Sequence, residues 1–157
     1  MIQPAVIIIS IRQKPLDFNN TFIMQRRHFQ NLLEKNGLKK TKLRIALLKC
    51  LYQSKHAQSY TDIKTALAGV TDKSTLYRNL STFKEVGIIH FIYDDSGVTK
   101  YAFGQQHGHN QNHAHFVCES CESVYCMDFE PSITARVPKG FKPNYIKTII
   151  RGICANC

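Results

Sequence analysis

Two C-x-x-C pairs, Cys118/Cys121 and Cys154/Cys157, constrain this 157-residue chain more than any other feature. Two residues between thiolates let both sulfurs of one turn reach a single ion. Two such turns complete a closed, tetrahedral four-thiolate site of the kind that suits structural zinc. A redox dithiol is the competing reading, but no thioredoxin-like βαβ pattern accompanies either pair. The gap between the pairs is longer than in a compact zinc ribbon, so a small sheet is expected to fold between them. An ion held by both pairs would bring the last strand of that unit to its first. The chain carries no convincing export signal, since the apolar stretch from Pro4 to Ile9 is short and lacks a small-residue cleavage site. The thiols therefore read as metal ligands in a reducing cytoplasm rather than as disulfides.

Histidines crowd the approach to the first pair: His107, His109, His113 and His115 all precede Cys118. His113 and His115 alternate along a strand-like run and so project from one face, where two imidazoles can bind one ion. His107 and His109 fall in a polar stretch that reads as a linker. Two isolated residues can complete a second site, Cys126 just past the knuckle and His90 in an earlier apolar run. Cys50, among apolar helix neighbours, reads as packing.

Charge divides the chain. From Met24 to His90 there are 13 basic and 4 acidic residues, whereas from Phe91 to Cys157 there are six of each. A basic front half joined to a neutral back half points to a polyanion-binding module beside something else. An enzyme for acidic ligands has no need of that split. An apolar content of 43% is ordinary for a globular chain. No apolar run approaches the ~18 residues that a membrane-spanning helix requires.

The front half reads as helices followed by a hairpin. Ile23, Phe29, Leu32 and Leu33 mark a first helical face that stops at Gly37. Thr41 can cap a second helix, with Leu43, Leu47, Leu48 and Leu51 inward. A third runs from about Thr61 to Ala68. A fourth starts at Asp72, whose carboxylate can cap it, and ends before Gly87. Leu76, Leu80 and Phe83 line its inner side; Lys73, Ser74, Tyr77, Arg78 and Ser81 line its outer side. Strand-like runs at 88–93 and 98–103 flank the turn Asp94-Asp95-Ser96-Gly97. This is the element order of a winged helix-turn-helix domain. Arg can donate paired hydrogen bonds to guanine, Tyr can contact a thymine methyl, and Ser or Lys can reach phosphate, so the outer face of the fourth helix is the expected DNA-reading surface.

The expected division is an extension at 1–23, either non-native or disordered, a winged-helix unit at 24–104, a hinge at 105–112 and a small α+β unit at 113–157. Strand runs in the last unit are expected at 113–117, 123–128 and 145–151, with a short helix at 130–137. A unit of that size has little core, and a metal or partner subunit usually supplies the missing stability.

From Leu38 to Cys157 the residues resemble the ferric-uptake-regulator family of metal-dependent repressors. Gly37-Leu38-Lys39-Lys40-Thr41-Lys42-Leu43-Arg44 resembles the family's G-L-R-x-T-x-x-R opening. Ser74-Thr75-Leu76-Tyr77-Arg78-Asn79-Leu80 resembles its A-T-V-Y-R-x-L recognition helix. His113-Ala-His115-Phe-Val-Cys118-Glu-Ser-Cys121 resembles its H-x-H-x-x-C-x-x-C segment, and the closing C-x-x-C matches too. The resemblance implies an α+β chain: a winged-helix DNA-binding domain, then a dimerisation domain with structural zinc on Cys118, Cys121, Cys154 and Cys157, and a regulatory metal at the hinge. It implies DNA contacts from Lys40, Arg44, Lys73, Ser74, Thr75, Tyr77 and Arg78. His90 and Cys126 fall where zinc-sensing members carry regulatory ligands, the second commonly Glu. Other places depart from the family: Ala102 where Glu is frequent, Gly104 where zinc sensors often carry Cys, Ala57 in place of a His with His56 beside it, Ile146 in place of another His, and Glu122 where Gly is usual.

The expectation is thus a homodimeric, cytoplasmic repressor that binds a palindromic operator in double-stranded DNA and responds to zinc. The regulatory ligands would be His90, His113, His115 and Cys126. A thiolate in a His-rich set favours zinc over iron(II) or manganese(II), which prefer more oxygen ligands. Iron sensing, peroxide sensing and a winged-helix binder with structural zinc alone are the alternatives. An enzyme is not expected: a hydrolytic zinc needs an open position and a nearby base, and no H-E-x-x-H pairing is present. No small organic substrate and no membrane partner are expected.

Overall fold

The computed structural model describes residues 18–68, 72–104, 113–128, 138–142, 144 and 146–157, with side chains described from residue 24 onward. The expected linker at 105–112, with His107 and His109, and the expected helix at 130–137 lie outside the described residues.

Helix α1 (Phe18–Lys35) begins five residues before the expected Ile23, so a boundary at residue 24 would cut through a helix. Phe29, Leu32 and Leu33 form its buried stripe. Gly37 ends it at φ +67°, and the N–H of Leu38 reaches back to the carbonyl of Leu33 at 2.8 Å. That left-handed residue satisfies carbonyls the helix would otherwise leave bare. Helix α2 (Lys42–Gln53) is capped by the hydroxyl of Thr41, which accepts from the Arg44 N–H at 3.3 Å. Strand β1 (Gln58–Ser59) leads straight into helix α3 (Tyr60–Ala66), where Ser59 and Asp62 close a reciprocal capping box. Helix α4 (Lys73–Glu85) is capped by Asp72, whose carboxylate accepts the Thr75 N–H at 2.9 Å.

Apolar side chains of the four helices meet in one core. Phe29, Leu33, Leu47, Leu48, Ile63, Leu76, Leu80 and Phe83 are essentially solvent-free, and Tyr101 and Phe103 cover them from the sheet. At about 25 cal/mol per Å2 of apolar surface, each large side chain so buried contributes roughly 1.5–3 kcal/mol. That core sets the pose of α4, leaving its polar side outward.

Strands β2 (Ile89–Tyr93) and β3 (Thr99–Phe103) form the wing hairpin, and β1 adds to β3, giving the antiparallel order β1-β3-β2. A second sheet holds β4 (His115–Cys118), β5 (Val124–Cys126) and β6 (Ile149–Gly152) in the order β5-β4-β6. These three are shorter than the sequence runs suggest. β4 and β5 pair antiparallel, with His115 opposite Cys126; β4 and β6 pair parallel, with His115 opposite Ile149 and Cys118 opposite Gly152.

The two sheets are joined by specific contacts. The N–H of Ala57 donates to the carbonyl of Val124 at 2.7 Å. Ala57, Ile92 and Ala102 from the front half pack with Val117 and Val124 from the back, with Cys126 and Ile149 at the margin. Arg151 pairs with Asp95 at the wing turn. Among the described residues no helix is long and apolar enough to cross a membrane.

Candidate functional site

The fold gathers Cys118, Cys121, Cys154 and Cys157 into one cluster, with all four sulfurs within 4.8 Å of one another. Cys118 ends β4, Cys121 follows in the turn, and Cys154 comes just after β6. Parallel pairing of β6 on β4 is what brings the second pair to the first. The Cys118–Cys157 and Cys121–Cys154 sulfur distances are both 3.8 Å, and Cys154–Cys157 is 3.5 Å. A tetrahedral ion with Zn–S bonds near 2.3 Å has sulfur–sulfur edges of about 3.8 Å. These three edges match a tetrahedral zinc–thiolate site. Backbone N–H groups of Cys121 and Cys154 point at Cys118, the latter at 3.3 Å, and hold its thiol down to about 6. The Ser120 hydroxyl favours the Cys157 thiolate, but the neighbouring thiols of Cys121 and Cys154 push that group up to about 12.

A second cluster unites His90, His113, His115 and Cys126, again with ligand atoms within 4.8 Å of one another. His90 comes from β2 of the wing hairpin, and the other three from the second sheet or the residue leading into it. Nε2 of His90 lies 3.3 Å from Nε2 of His115 and 3.3 Å from the Cys126 sulfur. The ring centroid of His113 lies 4.6 Å from that of His115 and 4.8 Å from that of His90. Zinc–nitrogen bonds of 2.0–2.1 Å give tetrahedral N–N edges of about 3.3 Å and N–S edges of about 3.5 Å, so this set also fits a tetrahedral ion. All three histidines are buried, and burial pushes the Cys126 thiol up to about 12. No carboxylate belongs to either cluster among the described residues.

The departures from the family pattern acquire physical reasons here. Ala102 stands opposite His90 on β3, so the hairpin offers one ligand at that level rather than two. A Cβ at Gly104 would sit 3.1 Å from the Gly87 carbonyl oxygen and 3.2 Å from that of Ile88, leaving no room there for a ligating side chain without backbone movement. Glu122 has φ +57°, a left-handed conformation that glycine adopts without strain. His56 is outside both clusters, its ring edge-on to Tyr125 at 5.9 Å. Ile146 is exposed.

On α4, Lys73, Ser74, Tyr77 and Arg78 are exposed, while Thr75 is half-buried with its N–H bound by the Asp72 cap. Arg44, an expected DNA contact, also bonds within the fold. Its Nε donates to Asn79 at 2.9 Å and its Nη1 to the Lys39 carbonyl at 3.2 Å, tying α2 to α4. Lys40 is exposed and pairs with Glu34 at 2.9 Å. Sequence reasoning misses Asn79, Lys100 and Tyr60. Nothing in the local pattern marks them, because each acts on a partner far away in sequence.

The profile of the ferric uptake regulator family matches residues 35–148. A ferric uptake regulation protein of Campylobacter jejuni subsp. jejuni is 30% identical over 140 residues, covering 82% of this chain and 85% of that protein. The peroxide operon regulator of Bacillus subtilis is 27% identical over 133 residues, covering 80% and 88%. The structure of a zinc uptake regulator complexed with zinc and DNA superposes with a TM-score of 0.58 at 20% identity, over 87% of this chain and 95% of that one. Helices, wing and paired cysteine turns define a DNA-binding, metal-responsive transcription regulator rather than an enzyme. The chain belongs to the ferric uptake regulator family.

Proposed function

We propose that the chain is a homodimeric repressor that senses zinc and controls metal-uptake genes from the cytoplasm. Cys118, Cys121, Cys154 and Cys157 hold a structural zinc; His90, His113, His115 and Cys126 hold the regulatory ion. Residues 24–104, with the start of α1 ahead of them, serve as the DNA-binding unit, 105–112 as the hinge and 113–157 as the dimerisation and metal-binding unit. The observation that carries this reading is the origin of the second cluster: His90 belongs to the wing hairpin, and its three partners belong to the second half.

When bound, the regulatory ion supplies a common Lewis-acid centre for those four donors. His90 then links the hairpin to β4 and β5, so donors from both halves favour one arrangement of the two. The population shifts only by the differential affinity for that arrangement. Across a dimer, the favoured arrangement spaces two copies of α4 for successive major grooves of a palindromic operator. Arg78 and Tyr77 read bases, while Lys73, Ser74 and Lys40 meet the phosphate backbone; Thr75 and Arg44 complete the DNA contacts, and Arg44 also ties α2 to α4 through Asn79. The Cys126 thiolate, in a cluster without a carboxylate among the described residues, favours zinc over iron(II).

Iron sensing is the second reading, and the 30%-identical relative, named for ferric uptake, favours it. The deciding experiment measures metal content after reducing purification, then operator binding against buffered free zinc, iron(II) and manganese(II). Zinc should restore binding at the lowest free concentration. Restoration by iron(II) alone overturns the zinc assignment, and binding independent of added metal overturns the sensor.

A further inference from the structure

We infer that Tyr60 is a positioning residue for base reading by Tyr77. The inference rests on α4 being the recognition helix.

The Tyr60 and Tyr77 rings are stacked, with centroids 4.7 Å apart and planes only 2° from parallel. Tyr60 is the first residue of α3, and its backbone is fixed from two directions. Ser59 before it pairs with Lys100 in the sheet. Ser59 and Asp62 close the capping box around it, with the Ser59 N–H donating to Asp62 at 2.9 Å. Its side chain packs half-buried against the main apolar core. Tyr77, by contrast, stands on the outer side of α4 and is 39% exposed. The one ring is therefore anchored and the other offered to solvent.

An exposed Tyr on a helix samples several rotamers and loses that freedom when it docks on a base. Stacking on a fixed ring removes much of that loss in advance. Lys73, with Nζ 5.8 Å from the Tyr77 ring centroid, adds a cation within interaction range of the same ring. Tyr60 itself need not touch DNA for this effect. A contribution of this kind appears in sequence-specific binding and not in the charge-driven binding of arbitrary DNA. Aromatic pairs are worth about 0.5–1.5 kcal/mol, which corresponds to a loss of roughly twofold to twelvefold in affinity.

The test uses the zinc-loaded full chain and a duplex that the wild-type protein selects from random-sequence DNA. Affinity for that duplex and for a scrambled duplex is measured at fixed salt. Tyr60→Phe keeps the stacked ring and should stay within about twofold of wild type. Tyr60→Ala should lose about threefold to tenfold on the selected duplex and nothing on the scrambled one. Tyr60→Leu keeps an apolar contact with the core but no ring, and should match Tyr60→Ala, so the result does not hang on one variant folding. In a Tyr77→Ala background, Tyr60→Ala should cost nothing further. Equal affinity of Tyr60→Leu and wild type, equal losses on both duplexes, or additive losses in the double variant each overturn the inference. If Tyr77→Ala itself keeps full affinity, the recognition-helix reading falls and this inference falls with it. If Tyr77→Ala loses affinity and Tyr60→Leu does not, only this inference falls.

Discussion

Lys100, in the second wing strand, donates to the backbone carbonyl of Glu122, the residue that follows the first C-x-x-C turn. The same ammonium lies 3.2 Å from the carboxylate of Asp94 at the wing turn. One buried side chain thus fastens the wing hairpin to the cysteine knuckle of the second half. Both side chains of the ion pair are largely withdrawn from water, at 11% and 3% exposure, so this pair is screened less than a surface one.

Lys100→Met should lower stability by about 1–3 kcal/mol in urea unfolding near neutral pH, since it leaves a carboxylate and a carbonyl short of a donor. Acid adds a second readout. Burial pushes the Asp94 carboxyl up, but the Ser96 hydroxyl and N–H and the Lys100 ammonium outweigh it, and the net shift is down. A carboxyl depressed in the folded state contributes stability that is present above its ordinary value of about 3.9 and is lost as pH falls through the folded value. Wild type should therefore lose stability below about pH 4 more steeply than Asp94→Asn. Parallel pH profiles would remove Asp94 from the account.

Glu122→Gly should stabilise the chain. A side chain at φ +57° carries a left-handed strain of about 1–2 kcal/mol, partly offset by the added chain entropy that glycine brings to the unfolded state. The expected net gain is about 0.5–1 kcal/mol in equilibrium unfolding of the metal-loaded protein. A loss would show that the Glu122 side chain makes a contact worth more than the strain.

Cys154→Ser should remove the tightly held metal and unfold the second half, because the four-cysteine cluster is what fastens β6 on β4 with so little apolar core behind it. Zinc content per chain and dimer mass are the measurements. Retention of one tightly held zinc would reassign the structural site.

Cys126→Ser should leave that tightly held zinc and the dimer intact, yet raise the free metal needed for operator binding by roughly tenfold or more, the order expected when a metal site is weakened (about 10–100-fold). If the thiol only packs, stability should fall mildly with an unchanged metal titration.

Arg78→Ala should weaken operator binding by about 1–3 kcal/mol, the worth of one bidentate base contact. Thermal stability should barely move, because the side chain is exposed on α4. Unchanged operator affinity would refute the recognition-helix assignment.

The front half is readable because its signals are local. Gly37, Thr41, Asp72 and Gly87 sit at the helix ends their chemistry demands, and the buried stripe of α4 follows helical periodicity. The start of α1 is not singled out in the sequence, because Asp17, Asn19, Asn20 and Thr21 all offer capping chemistry ahead of Ile23. In the back half, the strand bounds shift because β6 takes its register from β4, a parallel pairing that leaves no period in the sequence. The four-cysteine set can be read from spacing alone. By spacing alone His90 and Cys126 are isolated candidates, and only the family resemblance joins them to His113 and His115; what unites them physically is the packing of Ile92 and Ala102 on Val117 and Val124. The bond from Arg44 to Asn79 is invisible in the sequence because the partner lies on another helix.

The parallel pairing of β6 on β4 also sets an order of events in time. β4 and β5 are neighbours in the chain and meet quickly, whereas Ile149 must find His115 across a long stretch of chain before any contact rewards the search. The helical front half, rich in local contacts, is expected to fold first. Until β6 arrives, the four thiols exist as two separate pairs, each open to oxidation or to a wrong ion. The interval between synthesis and closure is therefore when the cysteine pairs are most exposed to their surroundings.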